Sequence, residues 1–389
     1  MDYTKLLSQK SQDLKPSGIR RFFDIAAGVP DIISLSVGEP DFKTPWTVRR
    51  EAIRVLEKGK TTYTSNAGLA PLRNAVSDYF KRTINTQYNP DNEIVITVGG
   101  SEAIDIAIRA LLNAGDEVII PEPCFVSYSP IVELTGGVPV PACTHMEGGF
   151  KLTPEILKPL ITNKTKALIM PYPNNPTGAV MRKDELESIA QILRNTDIAI
   201  ISDEIYSELT YGEPHVSIAQ LEGMRERTVV INGFSKAFAM TGWRLGFAAA
   251  PAPIAEQMLK IHQYAVMCSP TVSQYAAVTA LTDETVIEEV REMANEYNQR
   301  RQLALKSLSQ IGLDCFTPEG AFYVFPSIES TGLTSQEFCT RLIKEKSVAV
   351  VPGDAFGDCG EGYIRISYAY SAKHLTTAFK RIGEFLNEI

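Results

Sequence analysis

Thr228-Val-Val-Ile231-Asn-Gly233-Phe-Ser235-Lys236-Ala-Phe-Ala-Met-Thr-Gly242-Trp243-Arg244-Leu-Gly246-Phe-Ala-Ala249 reads as two short apolar strands, Thr228–Ile231 and Gly246–Ala249, with one lysine held between them. Runs of this kind, with little alternation of apolar and polar residues, belong to strands covered on both faces. Lys236 stands among small and apolar residues, a setting that disfavours the ammonium form. A lysine that is neutral part of the time can attack a carbonyl carbon. Ser235 and Arg244 can both reach a phosphate, Arg244 with two parallel donors. Taken alone, the stretch could also be a surface turn with ordinary basic residues; the glycines and Trp243 at fixed offsets from the lysine argue against that.

Working outward, further strands are expected at Glu93–Val98, Glu117–Ile120, Ala167–Met170 and Ile198–Ser202. Amphipathic helices fall between them, including Ala103–Leu112 and Lys183–Leu193. This alternation predicts an α/β fold with a mostly parallel sheet. The strand Ile198-Ala-Ile-Ile-Ser202 runs straight into Asp203, which places a carboxylate where open α/β sheets bind ligands. An aspartate there is equally well read as a helix N-cap. From Thr285 the pattern changes to one long helix, Thr285–Gln310, with Val290, Met293, Tyr297 and Leu308 on its apolar side, followed by strands in GAFYVFP and GYIRISY. These predict a smaller α+β domain at residues 285–389, a large domain at 46–284, and a segment 1–45 that packs with the small domain; the Pro-containing EPDFKTPW stretch is the linker.

Strand Glu93–Val98 leads into Gly99-Gly100-Ser101-Glu102, which opens a helix. Free N–H groups at a helix start, with permissive glycines, make an anion site, although a strand-helix turn with a serine cap has the same look. The 389 residues carry a formal charge of −8, with 38 basic and 46 acidic residues scattered along the chain. No basic stripe points to nucleic acid or to a membrane surface. No apolar run approaches the roughly 18 residues needed to span a bilayer. The polar N-terminus MDYTKLLSQKSQDLK has no apolar core of a signal peptide, so a cytoplasmic location is expected. The six cysteines, at 124, 143, 268, 315, 339 and 359, show no CxxC and no metal spacing, and buried reduced thiols are expected. The four isolated histidines form no HExxH, so no metal site is expected, and the absence of GxGxxG speaks against a nicotinamide enzyme.

The stretch Gly233–Gly246 resembles the lysine signature of class I and II aminotransferases, in the fold-type I group of pyridoxal-phosphate enzymes. Ser36-Val-Gly38-Glu-Pro-Asp-Phe42, Asn175-Pro-Thr-Gly178, Asp203-Glu-Ile-Tyr206 and Ile364-Arg365-Ile-Ser-Tyr368 match the same family in the same order, so the likeness runs from about Gly18 to the C-terminus. Within the family the chain is similar to the aromatic-type branch. The resemblance implies a seven-stranded sheet sandwiched by helices. It implies pyridoxal 5'-phosphate as cofactor, with Lys236 as its Schiff-base lysine and proton carrier. Asp203 would pair with the pyridine nitrogen, while Tyr206 and Asn175 would contact the phenolic oxygen. Phe125 would stack on the ring, and Gly100, Ser101, Glu102, Ser235 and Arg244 would hold the phosphate. Arg365 would clamp the substrate carboxylate beside Gly38 and Asn175. Tyr63 would reach the phosphate of a partner subunit, which makes the enzyme a homodimer with shared sites. The chain departs from many relatives at Gly233, where they carry Ser or Thr, so one phosphate contact is expected to be missing.

An aminotransferase working on amino acids and 2-oxo acids, by a ping-pong mechanism and with 2-oxoglutarate as acceptor, is the function this implies. A C–S β-lyase is the alternative, since both reactions begin by removing the Cα proton. An effector domain behind a DNA-binding module is disfavoured, because only about 30 residues precede the matched core, short for such a module. One aspartate-handling branch has a lysine where this chain has Ser101, and another has an arginine that aligns with Tyr264. Both departures favour an aromatic or other large neutral amino donor.

Overall fold

The computed structural model describes Met1, residues 3–16, Gly18 and residues 28–389. Its centre is a seven-stranded sheet built from β2 (Ile94–Thr97), β3 (Glu117–Glu122), β4 (Val138–Cys143), β5 (Thr165–Met170), β6 (Ala199–Asp203), β7 (Thr228–Gly233) and β8 (Gly246–Ala249) in the order β2-β8-β7-β6-β5-β3-β4. Only β8 runs against its neighbours; every other adjacent pair is parallel. Every residue of β2, β6, β7 and β8 is buried, which is why these strands lack a polar face. β2 is antiparallel to β8, and β8 to β7, so the carboxyl ends of β2, β7 and β6 share one edge of the sheet. The site is built along that edge.

β4 is the strand that periodicity does not announce. Its sequence, Val-Pro-Val-Pro-Ala-Cys, carries Pro139 and Pro141, and it lies at the end of the sheet beside β3. Prolines lack the N–H of a central ladder and are confined to such edges. The helix after β2 also differs from its predicted range, because it starts at Gly99 rather than Ala103. Two glycines, poor helix formers, conceal that first turn.

The long helix spans Glu284–Gln310 and is capped by the Asp283 carboxylate, which accepts from Thr285 N at 2.9 Å. Beyond it, β9 (Tyr323–Val324), β12 (Ile364–Ser367) and β11 (Val351–Pro352) form an antiparallel sheet in the order β11-β12-β9. β1 (Ile33–Ser34) pairs in parallel with β10 (Val348–Ala349), and Leu35 continues the contact through Ala349 O and Ser367 N. Asp41 holds Arg300 of the long helix with two contacts of 2.8 Å. Further toward the N-terminus, Lys10 donates to Leu134 O, on the helix Tyr128–Thr135 that follows β3.

The cysteines correct the expectation of separate reduced thiols. Cys143 and Cys359 meet as a disulfide, their Cα atoms 5.6 Å apart across 216 residues of sequence. No spacing could reveal a pair that only tertiary folding assembles. Cys124 and Cys339 are free and buried, while Cys268 and Cys315 are free and half-buried.

Candidate active site

A cavity of about 380 Å³ opens at the carboxyl ends of the sheet strands. Gly38, Gly100, Ser101, Phe125, Asn175, Asp203, Tyr206, Ser235, Lys236, Arg244 and Arg365 all line it, so tertiary folding brings together eleven residues scattered over most of the chain.

Asp203 ends β6 and is 7% exposed. Its carboxylate accepts from the Tyr128 hydroxyl at 2.7 Å and from Ile205 N at 3.2 Å. Burial raises its pKa, and these two hydrogen bonds oppose the rise. Tyr128 was not foreseen, although it stands three residues after Phe125 and their rings meet edge to face at 5.7 Å.

Lys236 lies just beyond β7, partly buried at the cavity wall, and donates to Gly38 O at 2.6 Å. Burial, reinforced by the positive charge of Arg365, lowers its pKa from 10.5 to about 8. That is the nucleophilic setting the sequence suggested, now with a named second cause. A Cβ on Gly38 would meet the Tyr323 hydroxyl at 2.1 Å, so this backbone can come so close only as glycine. Tyr323, from β9, shares a 2.8 Å hydrogen bond with Tyr206 and is the second residue that sequence reading missed. Its only signal was its place in the strand GAFYVFP.

Arg365, on β12, is 3% exposed. It donates to Asn175 Oδ1 at 2.9 Å and to Ser36 O at 2.5 Å, and lies against the rings of Tyr323 and Phe356 at 4.6 and 4.8 Å. Its Nε has no hydrogen-bond partner, and among the described residues no carboxylate side chain forms an ion pair with it. Burial lowers its pKa. A buried guanidinium without a counter-ion is costly and is well matched to an anionic ligand. Because Asn175 gives its oxygen to Arg365, its amide donor side remains for a ligand.

At the other end of the cavity, Gly100 and Ser101 belong to the first turn of the helix Gly99–Leu111, whose free N–H groups favour an anion. Gly99 has φ +76°, and a Cβ on it would press on the Arg244 guanidinium at 2.8 Å. Ser235 and Arg244 complete this end, and Arg244 also donates to Thr241 O at 3.2 Å. Ser101 and Arg244 are exposed, so the anion end opens outward. A Cβ at Gly233 would lie 3.0–3.1 Å from Gly246, Ile205 and Leu245, so a Ser or Thr here would need its neighbours to give by a few tenths of an ångström.

Two expected residues lie outside the lining. The Glu102 carboxylate turns to the protein instead, accepting from Val98 N–H and sitting 2.7 Å from Nδ1 of fully buried His262. It ties down the helix start and leaves only its backbone for an anion. Tyr63 is 80% exposed and does not line the cavity of its own chain.

One cavity thus holds a lysine amine of lowered pKa, a buried carboxylate, a buried guanidinium without an ion-pair partner among the described residues and, at its other end, the open start of a helix. The family model for class I and II aminotransferases matches residues 30–382, and the chain belongs to that family, which is generally dependent on pyridoxal phosphate. An aspartate aminotransferase of Pyrococcus abyssi is 48% identical over 98% of both chains. The aromatic-amino-acid aminotransferase 2 of Thermococcus litoralis is likewise 48% identical over 98% of both. The solved structure of an aromatic aminotransferase from Pyrococcus horikoshii superposes with a TM-score of 0.91 at 48% identity, covering 94% of this chain and 99% of that one. Equal identity to an aspartate and an aromatic enzyme leaves the donor to be argued from the site.

Proposed function

We propose that the enzyme binds pyridoxal 5'-phosphate on Lys236 and transfers the amino group of an aromatic or large neutral L-amino acid to a 2-oxo acid, with 2-oxoglutarate as the favoured acceptor, in two half-reactions at the same site. One observation carries this reading: Lys236 shares the cavity lining with two buried groups of opposite charge, Asp203 and Arg365, and among the described residues neither has a side chain of opposite charge at ion-pair distance. A ring nitrogen of the cofactor and the carboxylate of the amino acid would be the partners of Asp203 and Arg365. When bound, the cofactor provides a protonated ring that draws electrons from the substrate Cα.

Asp203 would hold a proton on the ring nitrogen, its carboxylate fixed by the Tyr128 hydroxyl. Phe125 would cover one face of the ring, while Tyr206 and the Asn175 amide would donate to its phenolic oxygen; all three line the cavity. The helix start at Gly100–Ser101, with Ser235 and Arg244, would hold the phosphate. Arg365 receives the α-carboxylate and so orients the Cα–H bond toward the Lys236 amine, which removes the proton and returns it. In this reading residues 46–284 would carry the cofactor, while Gly38 and, from residues 285–389, Arg365 would border the amino acid. The open phosphate end supports a homodimer in which the partner's Tyr63 completes the cradle. A cytoplasmic enzyme fits this reading, and no helix among the described residues is long and apolar enough to cross a membrane.

Ser101 in place of a lysine, and Tyr264, 88% exposed, in place of an arginine, support a neutral donor side chain. The test is a single-turnover screen in which each amino acid converts the cofactor to its amine form, followed by absorbance. Phenylalanine, tyrosine and leucine should react faster than aspartate, and 2-oxoglutarate should restore the original spectrum with formation of glutamate. Ammonia and pyruvate released from a cysteine conjugate without any acceptor would favour the lyase. Aspartate as the fastest donor would overturn the neutral-substrate reading.

A further inference from the structure

Cys143 and Cys359 take no part in the chemistry above, yet they sit at a joint that bears on it. Cys143 ends β4, the edge strand of the large sheet, and is exposed. Cys359 lies in the turn Asp358–Gly360 just before β12, the strand of Arg365, and is partly exposed. Solvent and small thiols can therefore reach this disulfide. By contrast, the Cys124 and Cys339 thiols are buried, and burial pushes both well up, which leaves them poor nucleophiles.

The surroundings of the pair tie both cavity walls together. Glu122, at the end of β3, accepts hydrogen bonds from the backbone N–H groups of Asp358 and Cys359. Cys124 N donates to Phe356 O at 2.9 Å, and Thr144 N donates to Glu122 O at 2.8 Å. Phe125, next to Cys124, lines the cavity, and the Phe356 ring lies 4.8 Å from the Arg365 guanidinium. Apart from these contacts, the disulfide is the covalent fastening between the 353–360 segment and the ends of β3 and β4.

We propose that Cys143 and Cys359 form a reversible redox-modification site whose oxidised form fastens the Phe356 segment beneath Arg365 and strengthens amino-acid binding. The co-reactant is a low-molecular-weight disulfide. The Cys143 thiolate, on the more exposed residue, attacks one of its sulfurs and expels one small thiolate. The Cys359 thiolate then attacks Cys143 Sγ in the mixed disulfide and expels the second. The two protein thiols lose two electrons and two protons, and the small disulfide becomes two small thiols. The kinetic consequence rests on the reading of Arg365 as the carboxylate site; the redox pair itself does not.

The test uses wild-type holoenzyme equilibrated with excess oxidised or excess reduced glutathione, then alkylated in denaturant. Of six cysteines, the oxidised enzyme should show four free thiols and the reduced enzyme six, with the difference mapped to Cys143 and Cys359. Reduction should raise KM for phenylalanine by about three- to tenfold, as for couplings carried through packed networks, with little change in kcat and full recovery on reoxidation. Cys143→Ser and Cys359→Ser should show the reduced-form KM in either buffer. Six free thiols, or two mixed disulfides, in oxidised glutathione would overturn the site. A thiol count that changes by two with an unmoved KM would overturn its link to binding, provided that Arg365→Lys on its own still costs carboxylate-bearing donors specifically. If Arg365→Lys costs them nothing, it is the reading of Arg365 that fails.

Discussion

Replacing Arg365 with lysine tests the central geometry, because it keeps the charge and removes the fork. The guanidinium has five N–H donors. Two are used, on Asn175 Oδ1 and Ser36 O, and these fix its plane. Nε and the remaining N–H groups are left for a carboxylate. A charge-assisted hydrogen bond contributes about 1.5–3 kcal/mol, so a paired contact contributes about 3–6 kcal/mol. Lysine retains one such contact at best, but it also loses the anchoring to Asn175 and Ser36. The net loss is about 3 kcal/mol, or roughly a hundredfold in kcat/KM. The assay is a stopped-flow half-reaction with phenylalanine, leucine, aspartate and phenethylamine, which has phenylalanine's side chain without its carboxylate. The three amino acids should lose equally, and phenethylamine should lose little. An equal penalty on phenethylamine would mean that Arg365 merely supports the fold of the cavity. A penalty confined to aspartate would place it at the far end of the substrate.

Asp203→Asn should retain cofactor and lower kcat by about 2.7–4 kcal/mol of transition-state stabilisation, the range for one preorganised electrostatic group; unchanged single-turnover rates would reduce Asp203 to a helix cap. In cofactor-free protein, the folded state releases the Lys236 proton near pH 8 and the unfolded chain near 10.5, so between those values the unfolded state binds more protons and stability rises with pH. Lys236→Met should flatten that rise, worth at most about 3 kcal/mol over the window, and melting curves of the two proteins that stay parallel from pH 8 to 10 would refute the lowered pKa. Tyr63→Glu and Lys236→Ala homodimers should each be impaired. If Tyr63 serves the partner's phosphate, subunit exchange should restore about half of the activity per heterodimer, since one site then carries both defects and the other neither. Proven exchange without recovery would show that Tyr63 does not cross the interface.

Much of this site was legible before folding was considered, because its chemistry is written in short contiguous pieces. The strands β6 and β7 announce themselves by unbroken apolar runs, and each delivers its functional residue within a few positions of its end, Asp203 and Lys236. Gly99-Gly100-Ser101 follows β2 in the same manner. Local sequence decides such features, since strand burial and helix-start geometry act over a few residues. Tyr128 and Tyr323 were not legible, because a tyrosine in an ordinary helix start or strand gains its role only from what it faces, Asp203 in one case and Tyr206 in the other. The side-chain partner of Glu102 was hidden for the same reason: His262 lies 160 residues away.

By itself, the sequence determined the parallel core, the lysine signature, the glycine turn that opens the helix after β2 and the membership of residues 30–382 in one enzyme family. Tertiary structure alone decided which buried charges lack an ion-pair partner among the described residues, that Tyr128 meets Asp203, and that Cys143 meets Cys359. Hydrophobic periodicity and glycine placement act along the chain and can be read from it, whereas desolvation, ion pairing and disulfide formation depend on distances between residues that only the packed fold sets.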